Sequence, residues 1–401
     1  MAGSEREAVP PCVPPGAAGY DSDRLHDGTA PTLRCACGDG CARNSKEGSV
    51  SALRLGYAGC GFMAQNVHLP NLTALPECEV AALAEVRPDL GRKVQAKFGI
   101  PSFHEDHMGL ARDDSLDVLA VSSGFTTQGE IAIDFLRTGR PVFMEKPMAL
   151  SLRQADRILE AAQTPGARLM VGYMKRHDAG NQLALERLRE FRRSGELGDV
   201  MYVRAHGFCG DWICGMDVGR METSNLPLPA EAREGPDWLP ADHRPHYVNF
   251  LQQYCHNLNF MRYLLDAGDD AEVVAVDLDS TSHQGVSVFR IGGVRCMLET
   301  GRLDHHRWDD HTQVYFRQGW VHTWAPPLLN ENLPAEVEIY RGGPRHSYER
   351  PLPRDRWSWA YRREMQAFLD CVRTGEPFLA SGEDAWTDIR LMEEIYRMHL
   401  G

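Results

Sequence analysis

One stretch, Leu53-Arg54-Leu55-Gly56-Tyr57-Ala58-Gly59-Cys60-Gly61-Phe62-Met63-Ala64, constrains this chain more than any other. It reads as an apolar strand, a tight glycine turn and the start of a helix. Gly59, Gly61 and Ala64 stand at the spacing of the G-x-G-x-x-G/A dinucleotide fingerprint. Gly59 permits a sharp turn, Gly61 leaves bare backbone for a pyrophosphate, and Ala64 lets the helix pack close to the strand. Backbone N–H groups at the helix start, where Phe62 and Met63 lie, and the positive end of the helix dipole suit the phosphates. The next apolar run, Val80-Ala81-Ala82-Leu83-Ala84, ends in Glu85. An acid about 20 residues past the fingerprint suits the ribose hydroxyls of NAD. Glu85 would repel a 2′-phosphate, and Arg87 stands close enough in sequence to attract one. The expected cofactor is therefore NAD or NADP, with NAD preferred.

The chain has 401 residues, enough for two domains with sizeable cores. Its formal net charge is −13 and it has no basic block, which argues against nucleic acid or an anionic membrane as the main partner. No apolar run approaches the roughly 20 residues of a membrane span, and the start lacks a secretory pattern. A cytoplasmic location is the expectation. The 11 cysteines are mostly single and in apolar surroundings, as in a reducing compartment. Cys35, Cys37 and Cys41 are close enough to suggest a metal, yet no fourth ligand has the usual paired spacing, so no metal site is expected. Residues 1–49, with Pro10, Pro11, Pro14, Pro15 and Pro31 among scattered charges, read as a disordered tail.

From residue 50 strands alternate with helices. Pro70 is expected to kink or interrupt the first helix. Leu116–Val121 reads as a buried parallel strand, Pro141–Met144 as another ending in Glu145-Lys146-Pro147, and Arg168–Tyr173 as one more. Ser151 with Gln154 forms a capping box. The pattern implies an α/β chain with an N-terminal Rossmann domain over residues 50–172. The C-terminal part, 173–401, reads differently. A long loop, Gly207 to Arg244, carries Asp211, Trp212, Asp217 and Trp238, and a loop of this length is usually functional. A helix around 248–265 carries His256. Strands then follow in series around 272–278, 286–291, 294–299, 311–316 and 337–340, with Gly292-Gly293 as a hairpin turn. They imply a large, mostly antiparallel sheet open on one face.

The order of these motifs resembles the Gfo/Idh/MocA family, named for glucose–fructose oxidoreductase and inositol dehydrogenase. The resemblance rests on Gly59-Cys60-Gly61-Phe62-Met63-Ala64, Glu145-Lys146-Pro147, Gly172-Tyr173-Met174-Lys175-Arg176 and His256-Asn257-Leu258-Asn259-Phe260-Met261-Arg262. It implies NAD(P)-dependent oxidation or reduction of hydroxyl and keto groups of sugars or cyclitols, and a homo-oligomer, dimer or tetramer, formed through the open sheet. Val286, Val294, Met297, Val314 and Tyr315 are the candidates for that open face.

The resemblance also implies roles. Lys146 matches the lysine that touches substrate and nicotinamide ribose, and an ammonium there would stabilise alkoxide character during hydride transfer. Pro147 is often cis in this family. His256 matches the catalytic histidine, a group suited to exchanging a proton near neutrality. Glu145 and Gln128 are further candidate cofactor contacts, Gln128 standing where many relatives have His. Lys175, Asp211, Trp212 and Gln252 are candidate substrate contacts, with Trp308 and Trp320 as weaker ones. Three positions depart from the family pattern. Gln252 stands where many relatives have Asp, Tyr254 where they have Gly, and Asn259 where they have Asp. The His-based relay lacks its carboxylate, so Lys146, Lys175 or Tyr254 would have to assist. Two other readings remain open at this point: a non-catalytic NAD(P)-binding regulator, and an NAD-dependent glycosidase with a transient redox step.

Overall fold

The computed structural model describes residues 51–401 except 216–218, 220, 229–234, 305, 307, 356 and 357. The tail, its three clustered cysteines and Asp217 lie outside the described residues.

The first sheet follows the fingerprint. Strand β1 (Leu53–Ala58) is succeeded by a wide turn over Ala64–His68 that runs into α1 (Leu69–Thr73). Pro70 has no N–H to return to the carbonyl four residues back, which accounts for the widened turn before it. Next come β2 (Cys78–Ala84), α2 (Pro88–Phe98), β3 (Ser102–His104), α3 (His107–Ala111), β4 (Val118–Val121), α4 (Phe125–Leu136), β5 (Pro141–Glu145), α5 (Leu152–Ala161) and β6 (Arg168–Gly172). The short β3 and α3 have too few apolar residues to stand out in the sequence. The six strands are parallel, in the order β3-β2-β1-β4-β5-β6. Val118, Leu119, Ala120 and Val121 are all fully buried, as a strand covered on both faces requires. Ser151 caps α5 by accepting from Gln154 N, but the Gln154 carboxamide accepts from Leu150 N instead of returning to Ser151, so only half of a capping box forms.

The second sheet begins after α6 (Ala179–Ser194). Its members are β7 (Val200–Cys209), then, beyond α7 (Arg244–Leu265), β8 (Ala271–Leu278), β9 (Gly285–Ile291), β10 (Val294–Arg302), β11 (Asp309–Phe316), β12 (Gly319–Trp324), β13 (Glu336–Arg341) and β14 (Ser347–Glu349). The order is β14-β13-β12-β11-β7-β10-β9-β8. All pairs are antiparallel except β7 with β10. Gly292 and Gly293 both have positive φ and turn β9 into β10. Helices α6 and α7 cover one face.

The other face carries Tyr202, Arg204, Met297, Tyr315 and Trp320, all partly exposed. Two residues expected on that face are not on it. Val314 is fully buried on the helix side, and Val294 pairs across from the buried Ile291 and packs against the core. The period of two along a strand assigns alternate residues to opposite faces, and only pairing with neighbours says which face is covered.

The chain ends with α8 (Ala360–Thr374) and α9 (Gly382–Leu400). Although late in sequence, α8 packs on the first sheet: Met365, Phe368 and Leu369 share a core with Leu55, Tyr57 and Phe143. Val171 N donates to Ala380 O, so the segment before α9 lies along β6.

Candidate active site

A cleft of about 930 Å³ runs along the C-terminal ends of β1, β2, β4 and β5 and is closed on its far side by residues of β7, α7 and β10. Cofactors bind at this edge of a doubly wound sheet because the strand order reverses there, between β1 and β4, leaving a crevice. The glycine turn forms one end. Gly59 has φ +104°, and a Cβ on it would meet Ser122 O at 2.1 Å, so the turn admits no side chain. Gly61 is different: a Cβ there would meet nothing within 4 Å. It borders open space of the kind a pyrophosphate needs, and Phe62 and Met63 follow on the same wall.

Glu85 sits at the end of β2, nearly buried. Its carboxylate accepts from Cys60 N at 2.9 Å and from Arg87 Nε at 2.7 Å. The acid and the glycine turn are thus tied together, and Arg87 is bonded to Glu85 rather than free.

The opposite end of the cleft is built on the Glu145-Lys146-Pro147 step, whose Lys146–Pro147 peptide is cis. Glu145 accepts from Lys146 N at 3.1 Å and contacts His68 Nε2 at 2.7 Å. Gln128 donates to the carbonyls of Glu145 and Pro147, at 2.5 and 3.2 Å. Four side-chain and backbone bonds therefore hold the backbone that carries Lys146. Its own Nζ reaches across to Gln252 O on α7, at 3.2 Å.

His256 is on the same stretch of α7 and also lines the cleft. Its Nδ1 is buried without a partner among the described residues. Burial, reinforced by the charges of Lys146 and Lys175, holds its pKa well below the ordinary histidine range. The imidazole is therefore neutral at physiological pH.

Of the candidate residues read from the sequence, Gly59, Gly61, Phe62, Met63, Glu85, Arg87, Gln128, Glu145, Lys146, Trp212, Gln252 and His256 all border this one cleft. Asp211 and Lys175 do not. Asp211 is held by its own loop, accepting from Ile213 N and Gly215 N and pairing with His306. Lys175 is buried against Asp310, Nζ to Oδ2 2.5 Å, behind the wall. Tyr254 is likewise turned away: its hydroxyl donates to Gly301 O and accepts from Gly301 N, and burial raises its pKa. Lys175 and Tyr254 are too committed to stand in for a missing carboxylate. Trp308 lines the cleft and Trp320 lies on the open face of the second sheet, stacked on Tyr340.

Several cleft residues carry no sequence signal of their own. Gln253, Arg302, Cys209 and Tyr361 come from four distant segments that only the fold assembles. His68 had a readable cue, since it lies four residues beyond Ala64 on the same helical face.

Residues 53–173 match the model of the oxidoreductase family with an NAD-binding Rossmann fold, GFO_IDH_MocA. Over those residues the chain matches the Gfo/Idh/MocA oxidoreductases. The myo-inositol 2-dehydrogenase of Thermotoga maritima is 24% identical over 348 residues, which are 83% of this chain and 92% of that protein. The scyllo-inositol 2-dehydrogenase (NAD(+)) of Bacillus subtilis is 23% identical over 363 residues, 86% of this chain and 92% of that protein. Among solved structures, an NAD-binding oxidoreductase from Klebsiella pneumoniae superimposes with a TM-score of 0.67 at 17% identity, covering 87% of this chain and 97% of that one. That likeness in fold extends over both sheets.

Proposed function

We propose that the protein is an NAD(P)-dependent dehydrogenase acting on a CH–OH group of a sugar or cyclitol. The observation that carries this reading is the continuity of one cleft from Gly61 and Glu85 to Lys146 and His256. In this reading a dinucleotide occupies the Gly61 and Glu85 end and a small polyol the Lys146 and His256 end. Related inositol dehydrogenases act on a cyclitol hydroxyl, as their names state.

In this reading the turn around Gly59 and Gly61 holds the pyrophosphate and Glu85 the adenosine ribose, favouring NAD over NADP. Bound nicotinamide supplies the hydride acceptor. Lys146 meets the reacting oxygen and stabilises its developing negative charge. His256, neutral in its buried seat, takes the hydroxyl proton as the carbinol carbon gives up its hydride. In the reverse direction the same imidazole, protonated, returns it. Glu145, His68 and Gln128 fix Lys146 in place. Gln252 offers its carbonyl to Lys146 and its carboxamide to the substrate. The long loop brings Trp212 edge-on against Phe62 at the cleft, ring centres 4.5 Å apart.

Two measurements test this. Titration of protein fluorescence with NADH and NADPH should give tighter binding of NADH, and clearly tighter NADPH would overturn the role of Glu85. Steady-state NAD reduction across sugars and cyclitols should give turnover with net NADH release. No turnover with any member would favour a binding regulator, and turnover without net NADH would favour transient redox.

A further inference from the structure

The substrate end of the cleft has a charge pattern that alcohol oxidation by itself does not call for. The carboxylates on the cleft wall, Glu85, Asp106, Glu130 and Glu145, all come from the nucleotide-binding side. From residue 209 onward, the described residues of the wall include no carboxylate at all. A neutral polyol brings a proton to donate on every hydroxyl, and carboxylates are the strongest acceptors for them. This part of the wall offers one cation and two amides instead. Gln252 is one such amide, and Gln253 another, its Nε2 buried without a partner among the described residues.

The cation on this part of the wall is Arg302. No acid pairs with it among the described residues, in contrast to Arg87 with Glu85 and Lys175 with Asp310. It is the last residue of β10 and stands opposite Cys209, the last residue of β7, which also lines the cleft. Its base is rigid: the preceding Gly301 exchanges two hydrogen bonds of 3.0 Å with the Tyr254 hydroxyl. Thr300 beside it bonds His283 O at 2.8 Å. The Arg302 side chain is exposed on this fixed backbone and borders the cleft, and a guanidinium with no acid paired to it among the described residues suits a carboxylate, since its planar fork matches two carboxylate oxygens. Lys146 is taken up by the reacting oxygen, so one positive charge remains for recognition. One charge fits a monoanion better than a phosphate dianion.

We propose that the substrate is a polyhydroxy monocarboxylate, a sugar acid, with its carboxylate on Arg302 and its reacting hydroxyl at Lys146 and His256. This rests on the dehydrogenase reading above and specifies its substrate class.

The test pairs each acid with its neutral counterpart. A panel of aldonates and uronates is set beside the alditols and aldoses of the same configuration, with sugar phosphates as a third set. Binding is read first, from the fluorescence of the protein saturated with NADH, because Trp212 and Trp308 line the cleft. The matching acid should bind roughly 10- to 150-fold more tightly than its neutral counterpart, the range of one charge-assisted pair. Arg302→Ala should collapse that ratio, and Arg302→Lys, which keeps the charge and loses the fork, should leave part of it. NADH affinity checks that each variant is folded, and Arg302→Gln replaces Arg302→Ala if the latter is not. Equal binding of acids and neutral polyols, preference for phosphates, or a ratio that survives Arg302→Ala would overturn the proposal. Turnover is read second. Selective acid binding with no turnover would sink the dehydrogenase reading and leave the carboxylate assignment standing. Turnover of neutral polyols without preference for acids would do the reverse.

Discussion

Replacing Lys146 by alanine removes two things at once, and they have separate signatures. On the proposed mechanism, the first is the donor that meets the developing alkoxide. Loss of one preorganised donor of this kind costs about 2.7–4 kcal/mol, or about 10²–10³ in turnover. Lys175 cannot take its place, because its Nζ is held by Asp310 at 2.5 Å. The second is a charge acting on His256. Burial, then Lys146, then Lys175 hold that imidazole well below its ordinary pKa, so taking Lys146 away moves the pKa upward. Alcohol oxidation needs the neutral imidazole, and activity falls as pH drops through its pKa. In the parent enzyme that acid limb lies well below the ordinary histidine range, and in Lys146→Ala it shifts to higher pH. NAD reduction followed by absorbance across the pH range gives kcat and the limb together, and NADH fluorescence checks that cofactor affinity stays close to the parent's. His256→Ala should cost about 10²–10⁴ in turnover and abolish the limb. A retained kcat in Lys146→Ala, or an acid limb that does not move, would refute this account of the site.

Three further outcomes follow from other parts of the structure. Glu364 is fully buried with both carboxyl oxygens unpartnered among the described residues, and burial, with Glu145 nearby, holds its pKa well above the usual range. It is protonated in the folded state and ionised in the unfolded one above about pH 4.3, so it weakens the fold progressively as pH rises past that value. Glu364→Gln should therefore raise Tm over the parent by a margin that grows from pH 5 to pH 8, and a margin independent of pH would contradict the assignment. Gly59→Ala places a methyl 2.1 Å from Ser122 O at φ +104°, so thermal denaturation should show a loss of about 1–3 kcal/mol or more, and NADH binding should fail. The open face around Met297, Tyr315 and Trp320 should be an interface between copies of this chain, giving a dimer or tetramer by light scattering, and a monomeric mass at micromolar concentration would rule it out.

What the sequence determined by itself was local. The fingerprint, Glu85 at the next strand end and the Glu145-Lys146-Pro147 step are short-range patterns, in which a turn or strand end fixes the geometry within a few residues. Apolar runs of four to six residues marked the parallel strands, and Gly292-Gly293 marked a hairpin, because burial on both faces and positive φ leave direct traces in composition. The motif around His256 was legible only through its resemblance to the Gfo/Idh/MocA family. What the tertiary structure decided was everything that depends on which segments meet. Nothing in the chain before β10 announces that Arg302 will stand opposite Cys209, or that Tyr254 will spend its hydroxyl on Gly301. Lys175, at the end of a motif that pointed to the substrate, was claimed by Asp310 from a strand 135 residues away. Val314 and Val294 turned inward because the register of β11 and β10 against their neighbours set their faces. Helix α8 left its sequence neighbours to complete the core of the first sheet. A side chain's type and spacing are written locally, but its partner is chosen by long-range packing, and the charge balance of the cleft follows from those choices.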